Sequence, residues 1–337
     1  MPPARHSPEV QDSQGHINEL DGVRAFSILA VMAGHLLPLG PSTLQLNQTS
    51  AVMGMSLFFG LSGFLITYFL WKRPDVPAFL IRRFARIVPL AYLYGAIVAL
   101  VVFWRPDTFA AIVTFTLNYT DPQIFKGVSH LWSICVEMHF YLTIAAAVAL
   151  FGRRGFWIVP IAAVIVTGLR VEAGAYVNIR THLRVDEILS GALLGLYWVN
   201  RDRIGRPALE AALRRGLPLV ALLWAASAHP MGGALNFARP YLAMLLIGGI
   251  LFLPMNGFKR LLQTHPLAYI AKISYALYIW HPFTALGFMN SGSNVTRYLL
   301  KRPLSFAATF LLAHLSTQTL ERYFIGLGKR LTGRRRA

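Results

Sequence analysis

The stretch Val52-Met-Gly-Met-Ser-Leu-Phe-Phe-Gly-Leu-Ser-Gly-Phe-Leu-Ile-Thr-Tyr-Phe-Leu-Trp71 contains no charged residue. It is as long as the run of roughly 20 apolar residues that a helix needs to cross a bilayer. The rest of the chain has the same character, because 55% of the residues are hydrophobic and only 14% are charged. A soluble domain carries about 25% charged residues. The sequence therefore predicts an all-α polytopic membrane protein.

Similar apolar segments precede and follow this one. They predict about ten spans, at residues 23–39, 52–71, 87–104, 131–151, 156–169, 188–199, 217–228, 241–255, 267–289 and 304–325. Residues 109–119 are too short to span, so we expect an interfacial or re-entrant helix there. On this assignment, the predicted cytoplasmic loops hold more than twice as many Lys and Arg residues as the outer loops. The positive-inside rule then predicts that both termini are cytoplasmic.

The charge of the chain is strongly basic, with 32 Lys and Arg residues against 14 Asp and Glu residues. The basic residues form short clusters between apolar runs, which favours contact with membrane lipids over nucleic-acid binding. We expect an inner or plasma membrane location, because the polar N-terminus lacks the pattern of a cleavable signal peptide. The predicted organisation is a polar cytoplasmic tail (1–17), a membrane domain (18–325) and a basic cytoplasmic tail (326–337). The single cysteine excludes an intrachain disulfide.

Ionisable residues within a predicted span are costly unless they face the bundle interior. The first span carries Asp21 and Arg24 at its start and His35 near its far end. Arg24 and His35 are close to three turns apart, so they share a helix face, about 16 Å apart along the axis. The alternative is that Arg24 extends to the lipid headgroups and that His35 is a core histidine whose hydrogen bonds are satisfied within the bundle.

Three arginines, Arg82, Arg83 and Arg86, follow the second span. Their spacing makes them neighbours on a helix, and guanidinium groups bind oxyanions bidentately. A simpler explanation is a charge cluster that fixes topology. The small residues within 54–63 of the second span, three glycines and two serines, indicate close helix packing.

Two later segments carry polar residues in apolar surroundings. Glu137 lies six residues inside the fourth span with Tyr141 one turn further on, and the ninth span carries Ser274 and His281. A buried carboxylate requires a cation, an imidazole or a polar cavity, although a helix-packing salt bridge would also satisfy it. We expect these residues to converge on one cavity. No His-x-x-x-His pair supports a metal site, and none is expected.

These segments resemble the integral membrane acyltransferase family 3, the sugar and antibiotic O-acyltransferases. The resemblance rests on five motifs in order: Leu20-Asp-Gly-Val-Arg-Ala25 with His35, Phe58-Phe-Gly-Leu-Ser-Gly-Phe-Leu-Ile66, Arg83-Phe-Ala-Arg-Ile-Val-Pro89, Leu131-Trp-Ser-Ile-Cys-Val-Glu137 and Ser274-Tyr-Ala-Leu-Tyr-Ile-Trp-His281. It extends from residue 18 to about residue 325. The chain departs from the family at Met138, where a second Glu is common. It is similar to the stand-alone form rather than to relatives with a fused esterase-like domain.

The resemblance implies transfer of an acyl group, commonly acetyl from acetyl-CoA, to a hydroxyl of a carbohydrate or glycosylated acceptor. Within that chemistry, we expect His35 to act as the general base and Glu137 to hold its tautomer. Arg83, Arg86 and Arg82 would bind the acyl-CoA phosphates, and Arg24 would bind the same donor or orient Asp21. Tyr141, Ser274 and His281 are further site candidates. A covalent acyl-His35 relay is an equal alternative to direct transfer.

The main rival is a transporter or flippase for a lipid-linked or acylated sugar, which would share the many spans and buried charges. A lipid-regulated structural membrane protein is a weaker alternative, because it does not require clustered His, Glu and Arg residues. Among transporters, repeat symmetry is common, and the sequence shows no internal repeat.

Overall fold

The computed structural model describes residues 17–120 and 127–333. Most of the predicted N-terminal tail (1–16), the loop residues 121–126 and the last four residues of the predicted basic tail (334–337) lie outside the described residues. Within the described ranges the chain is helical apart from connecting segments, and it contains no β-strand. The predicted all-α architecture is confirmed for this part of the chain.

Eleven helices of the described residues overlap the ten predicted spans, because the last two helices both overlap the span predicted at 304–325; the other three helices are short. The α-helices of the described residues, in chain order, are α1 (Glu19–Leu36), α2 (Leu46–Lys72), α3 (Val76–Gly95), α4 (Pro106–Val113), α5 (Trp132–Phe151), α6 (Ile158–Glu172), α7 (Asp186–Val199), α8 (Arg201–Ile204), α9 (Pro207–Ala228), α10 (Leu235–Phe252), α11 (Gly257–Leu262), α12 (His265–Trp280), α13 (Arg302–Ser316) and α14 (Arg322–Gly333). A π-helical segment, Ala96–Val102, extends α3, and another, Thr317–Glu321, joins α13 to α14.

Four helical stretches in the described residues are long and apolar enough to cross a membrane by length and composition alone. They are Ser42–Lys72, Val76–Val102, Ser129–Glu172 and Leu235–Phe252. The chain is thus a membrane protein, while ten spans and cytoplasmic termini stay predictions. The segment 109–119 contains only the end of α4 and the short turn Leu117–Tyr119. An eight-residue helix is about 12 Å long, so α4 is too short to cross.

The small residues of α2 allow it to pack tightly between α1 and α7. A Cβ at Gly54 would lie 2.5 Å from the carbonyl oxygen of Ser27 on α1, and one at Gly63 would overlap the Ile188 carbonyl on α7. Ser27 also donates a 2.7 Å hydrogen bond to the Gly54 carbonyl. The predicted helix-packing role is confirmed for these glycines, and the close contact fixes α1, which carries His35.

A buried ionic network joins α6, α7 and α10. Arg170 pairs with Asp186, and Glu187 lies between Arg184 at 3.1 Å and Arg239 at 2.8 Å. All five side chains are buried. Because removing one partner would leave a charge in low-dielectric surroundings, the network holds α7 in place against its neighbours.

The C-terminal helix α14 packs along the first half of α3. The two helices approach closely at Gly328, because a Cβ there would lie 3.0 Å from the Cβ of Ala85. Residues 326–333, predicted to begin a basic tail, instead continue this helix. The predicted boundary at residue 325 lies within α14, and Lys329 and Arg330 belong to this helix.

Candidate active site

Two of the predicted site residues form a histidine pair between α1 and the end of α12. Nδ1 of His35 lies 2.8 Å from Nε2 of His281, and the rings stack with centroids 5.1 Å apart. His281 is buried, whereas His35 is exposed. The pair thus has one enclosed and one accessible member.

The hydrogen bonds around His281 determine which ring nitrogens carry protons. Nδ1 of His281 lies 2.8 Å from the carbonyl oxygen of Tyr278, which can only accept, so this nitrogen must donate. In neutral His281, Nε2 then carries a lone pair, and it accepts a hydrogen bond from Nδ1–H of His35. It follows, by assignment from the network, that Nε2 of neutral His35 is an unprotonated base on the accessible ring.

A second set of polar groups supports the buried histidine. Nε2 of His130 donates to the carbonyl of Ile279 at 3.1 Å, and the His130 and His281 ring centroids are 5.4 Å apart. The hydroxyl of Tyr278 lies 2.5 Å from the carbonyl oxygen of His130 and 2.6 Å from Oγ of Ser133. These contacts join the start of α5 to α12 and fix the position of His281.

Glu137 does not pair with His35, which corrects the predicted triad-like arrangement. Its Oε1 accepts hydrogen bonds from Oγ of Ser62 and from the hydroxyl of Tyr141, both at 2.5 Å. The physical reason is depth: His130, before α5, lies beside His281, and Glu137 is seven residues further along. At 1.5 Å per residue, that places the carboxylate about 10 Å from the level of the histidines.

The carboxylate of Glu137 belongs instead to a cluster of arginines. Cζ of Arg83 lies 5.8 Å from the ring centroid of Tyr141, and the charges of Arg83, Arg86 and Glu137 all act on Arg24. Within the described part of the chain, none of these three arginines forms an ion pair. Three guanidinium groups outnumber the two nearby carboxylates, Asp21 and Glu137, and this surplus of positive charge favours an anionic ligand.

An open cleft of about 1170 Å³ lies at this arginine-rich end of the bundle. Asp21 and Arg24 of α1 and Arg86 of α3 line it, and the remaining walls come from α12, the π-helical link and α14. Arg82 does not line the cleft. Its Nε donates to Oγ1 of Thr332 on α14 at 3.1 Å, so it fastens two helices together.

The histidines and the arginines form two clusters rather than the single cavity expected from the sequence. The lining of the cleft does not include His35. Ile28 and Met32 lie between Arg24 and His35 on α1, and both are buried, at 2% and 0% exposure. Their side chains fill the space that separates the two clusters.

Ser274 is buried on α12, one turn before Tyr278, and lies on the helix face that leads to His281. The sequence alone does not indicate roles for four further residues of the site: His130, Tyr278, Ser133 and Ser62. All four lie within or next to the five motifs, but only the packing of α5 against α2 and α12 reveals their partners.

The chain is similar to known proteins over most of its length. The family model described as an acyltransferase domain matches residues 17–317. The chain is 27% identical to the peptidoglycan O-acetyltransferase OatA of Listeria monocytogenes, over 92% of this chain and 56% of that protein. It is 24% identical to the O-acetyltransferase OatA of Staphylococcus aureus, over 83% of this chain and 52% of that protein. The chain therefore spans about half the length of these curated relatives. No solved structure matches it.

Proposed function

The chain belongs to the integral membrane acyltransferase family, and from that premise we propose that it transfers an acetyl group from acetyl-CoA to a hydroxyl of a carbohydrate polymer. The observation that carries the proposal is the hydrogen bond of 2.8 Å between His35 and His281. It leaves Nε2 of His35 as a base on an exposed ring, and a neutral imidazole is the usual general base near neutral pH.

In the proposed reaction, the acceptor oxygen attacks the thioester carbonyl while Nε2 of His35 takes the hydroxyl proton. A C–O bond forms, the C–S bond breaks, and His35 returns the proton to the departing CoA thiolate. His281 acts as a positioning residue, because its Nε2 accepts from His35 and so keeps the base in the correct tautomer. General-base assistance of this kind contributes about 10²–10⁴-fold to the rate.

The arginine cluster is the proposed site for the phosphates of the donor. Arg24, Arg83 and Arg86 lack ion-pair partners among the described residues, and Arg24 and Arg86 line the cleft. Arg24 and His35 lie about 16 Å apart along α1. Acyl-CoA carries its phosphates and its thioester at opposite ends of a flexible pantetheine arm, so it can occupy both clusters. Glu137 and Tyr141 position Arg83 within this site. Ile28 and Met32 must move aside for the arm to pass.

The proposed acceptor class is supported by one relative, the protein of Listeria monocytogenes, which is named a peptidoglycan O-acetyltransferase. We propose a peptidoglycan-type glycan as the acceptor, approaching His35 from the exposed side of its ring. By the positive-inside rule the basic cleft faces the cytoplasm. Donor and acceptor then reach the histidine from opposite faces of the membrane.

A covalent relay would use the same lone pair of His35 as a nucleophile. It predicts that the protein itself becomes acetylated when acetyl-CoA is supplied without acceptor, and that His35→Ala abolishes this labelling. Direct transfer predicts no labelled protein. Intact-protein mass spectrometry after a short incubation separates the two routes.

The test of the function is transfer of label by the purified full chain in lipid nanodiscs, with radiolabelled acetyl-CoA and a soluble glycan oligomer. We expect labelled glycan with the wild type and a loss of at least about 100-fold with His35→Ala. His265→Ala is the matched control, because His265 is exposed at the start of α12 and is not among the residues that line the cleft. Binding of acylated sugar without any transfer of label would favour the transporter alternative.

A further inference from the structure

The basic side chains of α14 are held on the wall of the cleft. One face of the helix is buried at Gly328 and Thr332, against α3. Arg322, Lys329 and Arg330 are exposed and line the cleft. The contact with α3 therefore fixes the direction in which these three cations point.

The charge of the cleft is strongly unbalanced. Its lining contains six basic residues, the three of α14 together with Arg24, Arg86 and Lys272, against two acidic residues, Asp21 and Glu321. Glu321 is buried and accepts a 3.0 Å hydrogen bond from Oγ1 of Thr317. Within the described ranges, Lys272 and the three cations of α14 form no ion pair. The surplus positive charge is thus available to a ligand with several negative charges.

The cations occupy two levels along the cleft. Glu321 lies within range of the charge of Arg86, which places the start of α14 deep in the cleft beside α3. Gly328 is level with Ala85 and Ile81, nearer the start of α3. Lys329 is seven residues beyond Arg322, about 10 Å along the helix. Lys329 and Arg330 therefore lie nearer the start of α3 than Arg86 does, and we call this end of the cleft its mouth.

We propose that Lys329 and Arg330 bind the ribose phosphate of the CoA moiety, a proposal that rests on the proposed function for the identity of the donor. In acyl-CoA the thioester, the pyrophosphate and the ribose phosphate follow one another in that order. With the thioester directed toward His35, the pyrophosphate meets Arg24 and Arg86, and the ribose phosphate reaches the mouth. A phosphate monoester carries about two negative charges near pH 7, which two adjacent cations match.

The test compares binding of CoA and dephospho-CoA, which lacks only the ribose phosphate, to the full chain in nanodiscs of neutral lipid. The variant is Lys329→Gln/Arg330→Gln, and the matched control is Arg214→Gln/Arg215→Gln, two exposed cations of α9 that do not line the cleft. We expect the α14 variant to bind CoA at least about tenfold more weakly than the control. Its affinity for dephospho-CoA should equal that of the wild type.

Equal affinity of the two variants for CoA would overturn the subsite, and so would equal weakening of both ligands. Lipid headgroups carry the same phosphate chemistry. If the α14 cations bind lipid phosphate instead, the α14 variant and the control bind CoA with equal affinity in neutral nanodiscs. Their affinities for CoA then differ only in nanodiscs that contain phosphatidylglycerol. Turnover of acetyl-CoA by the wild type with an unchanged KM in the α14 variant would reject the subsite and leave the function standing. Tight binding of CoA that depends on the α14 cations, without any acetyl transfer, would reject the proposed function and leave the subsite standing.

Discussion

Nδ1 of His35 and Nε2 of His281 lie 2.8 Å apart although the residues are 246 positions apart in the chain. The bond joins the last turn of α1 to the end of α12, so both helices must pack correctly before the base exists. Its direction is determined by the Tyr278 carbonyl, which accepts from Nδ1 of His281. The reactivity that we assign to His35 is therefore a property of the pair.

Replacing His281 should separate positioning from chemistry. We expect His281→Ala to reduce kcat about 100-fold, since His35 loses the acceptor that selects its tautomer. The low-pH limb of the pH–rate profile should also move, because the ring that titrates has lost its partner. His281→Gln retains an acceptor oxygen and should recover part of the rate. An unchanged pH profile in His281→Ala would show that His281 has only a structural role.

The side chains between the two clusters allow a test of the donor path. Met32 is fully buried between Arg24 and His35, and Met32→Trp adds volume where the pantetheine arm must pass. We expect the CoA dissociation constant to stay near that of the wild type while kcat falls at least tenfold. Met32→Leu conserves volume and is the control. An unchanged kcat in Met32→Trp would place the path elsewhere.

The role of Glu137 can be decided by the kinetic parameter that changes. Glu137→Gln keeps an acceptor for Ser62 and Tyr141 but removes the negative charge near Arg83 and Arg24. We expect KM for acetyl-CoA to change severalfold while the pH dependence that arises from His35 is retained. A shifted pH profile with unchanged KM would instead restore the triad-like role predicted from the sequence.

The buried ionic network predicts a large effect on stability far from the proposed chemistry. Glu187→Gln leaves Arg184 and Arg239 without the carboxylate between them, and loss of one partner of a buried pair costs about 3–5 kcal/mol. We expect a markedly lower unfolding temperature in detergent. Glu172→Gln, at an exposed carboxylate on α6, should stay near the wild type. A similar small change in both variants would mean that water or lipid headgroups screen the network.

The sequence predicts the helices well because the apolar runs are long. A long apolar run that crosses a bilayer satisfies its backbone hydrogen bonds by forming a helix. It also identifies His35, His281 and Glu137 as polar residues in apolar surroundings. It does not predict their partners, since these depend on how α1, α2, α5 and α12 pack in depth. A triad-like arrangement predicts that Glu137 pairs with His35, but its position along α5 puts it about 10 Å from the level of the histidines, beside Ser62 and Tyr141.

The extent and the packing of the C-terminal helix α14 also could not be predicted from the sequence. The apolar pattern predicts that the last span ends at residue 325 and that a basic tail follows it. In the structure, α14 continues to Gly333, and Gly328 packs closely against Ala85 of α3. Lys329 and Arg330 therefore belong to a packed helix, and their side chains line the cleft.

Arg82 and Arg86 provide the most direct test of how the arginine motif is used. The two residues are one turn apart on α3, yet Arg86 lines the cleft while Arg82 donates to Thr332. We expect Arg86→Gln to raise KM for acetyl-CoA at least about tenfold, because a charge-assisted hydrogen bond to phosphate contributes about 1.5–3 kcal/mol. Arg82→Gln should leave KM nearly unchanged and lower thermal stability slightly, through the loss of one contact between α3 and α14. If Arg82→Gln raised KM as much as Arg86→Gln, α14 would have to move away when donor binds, and both arginines would then contact phosphate.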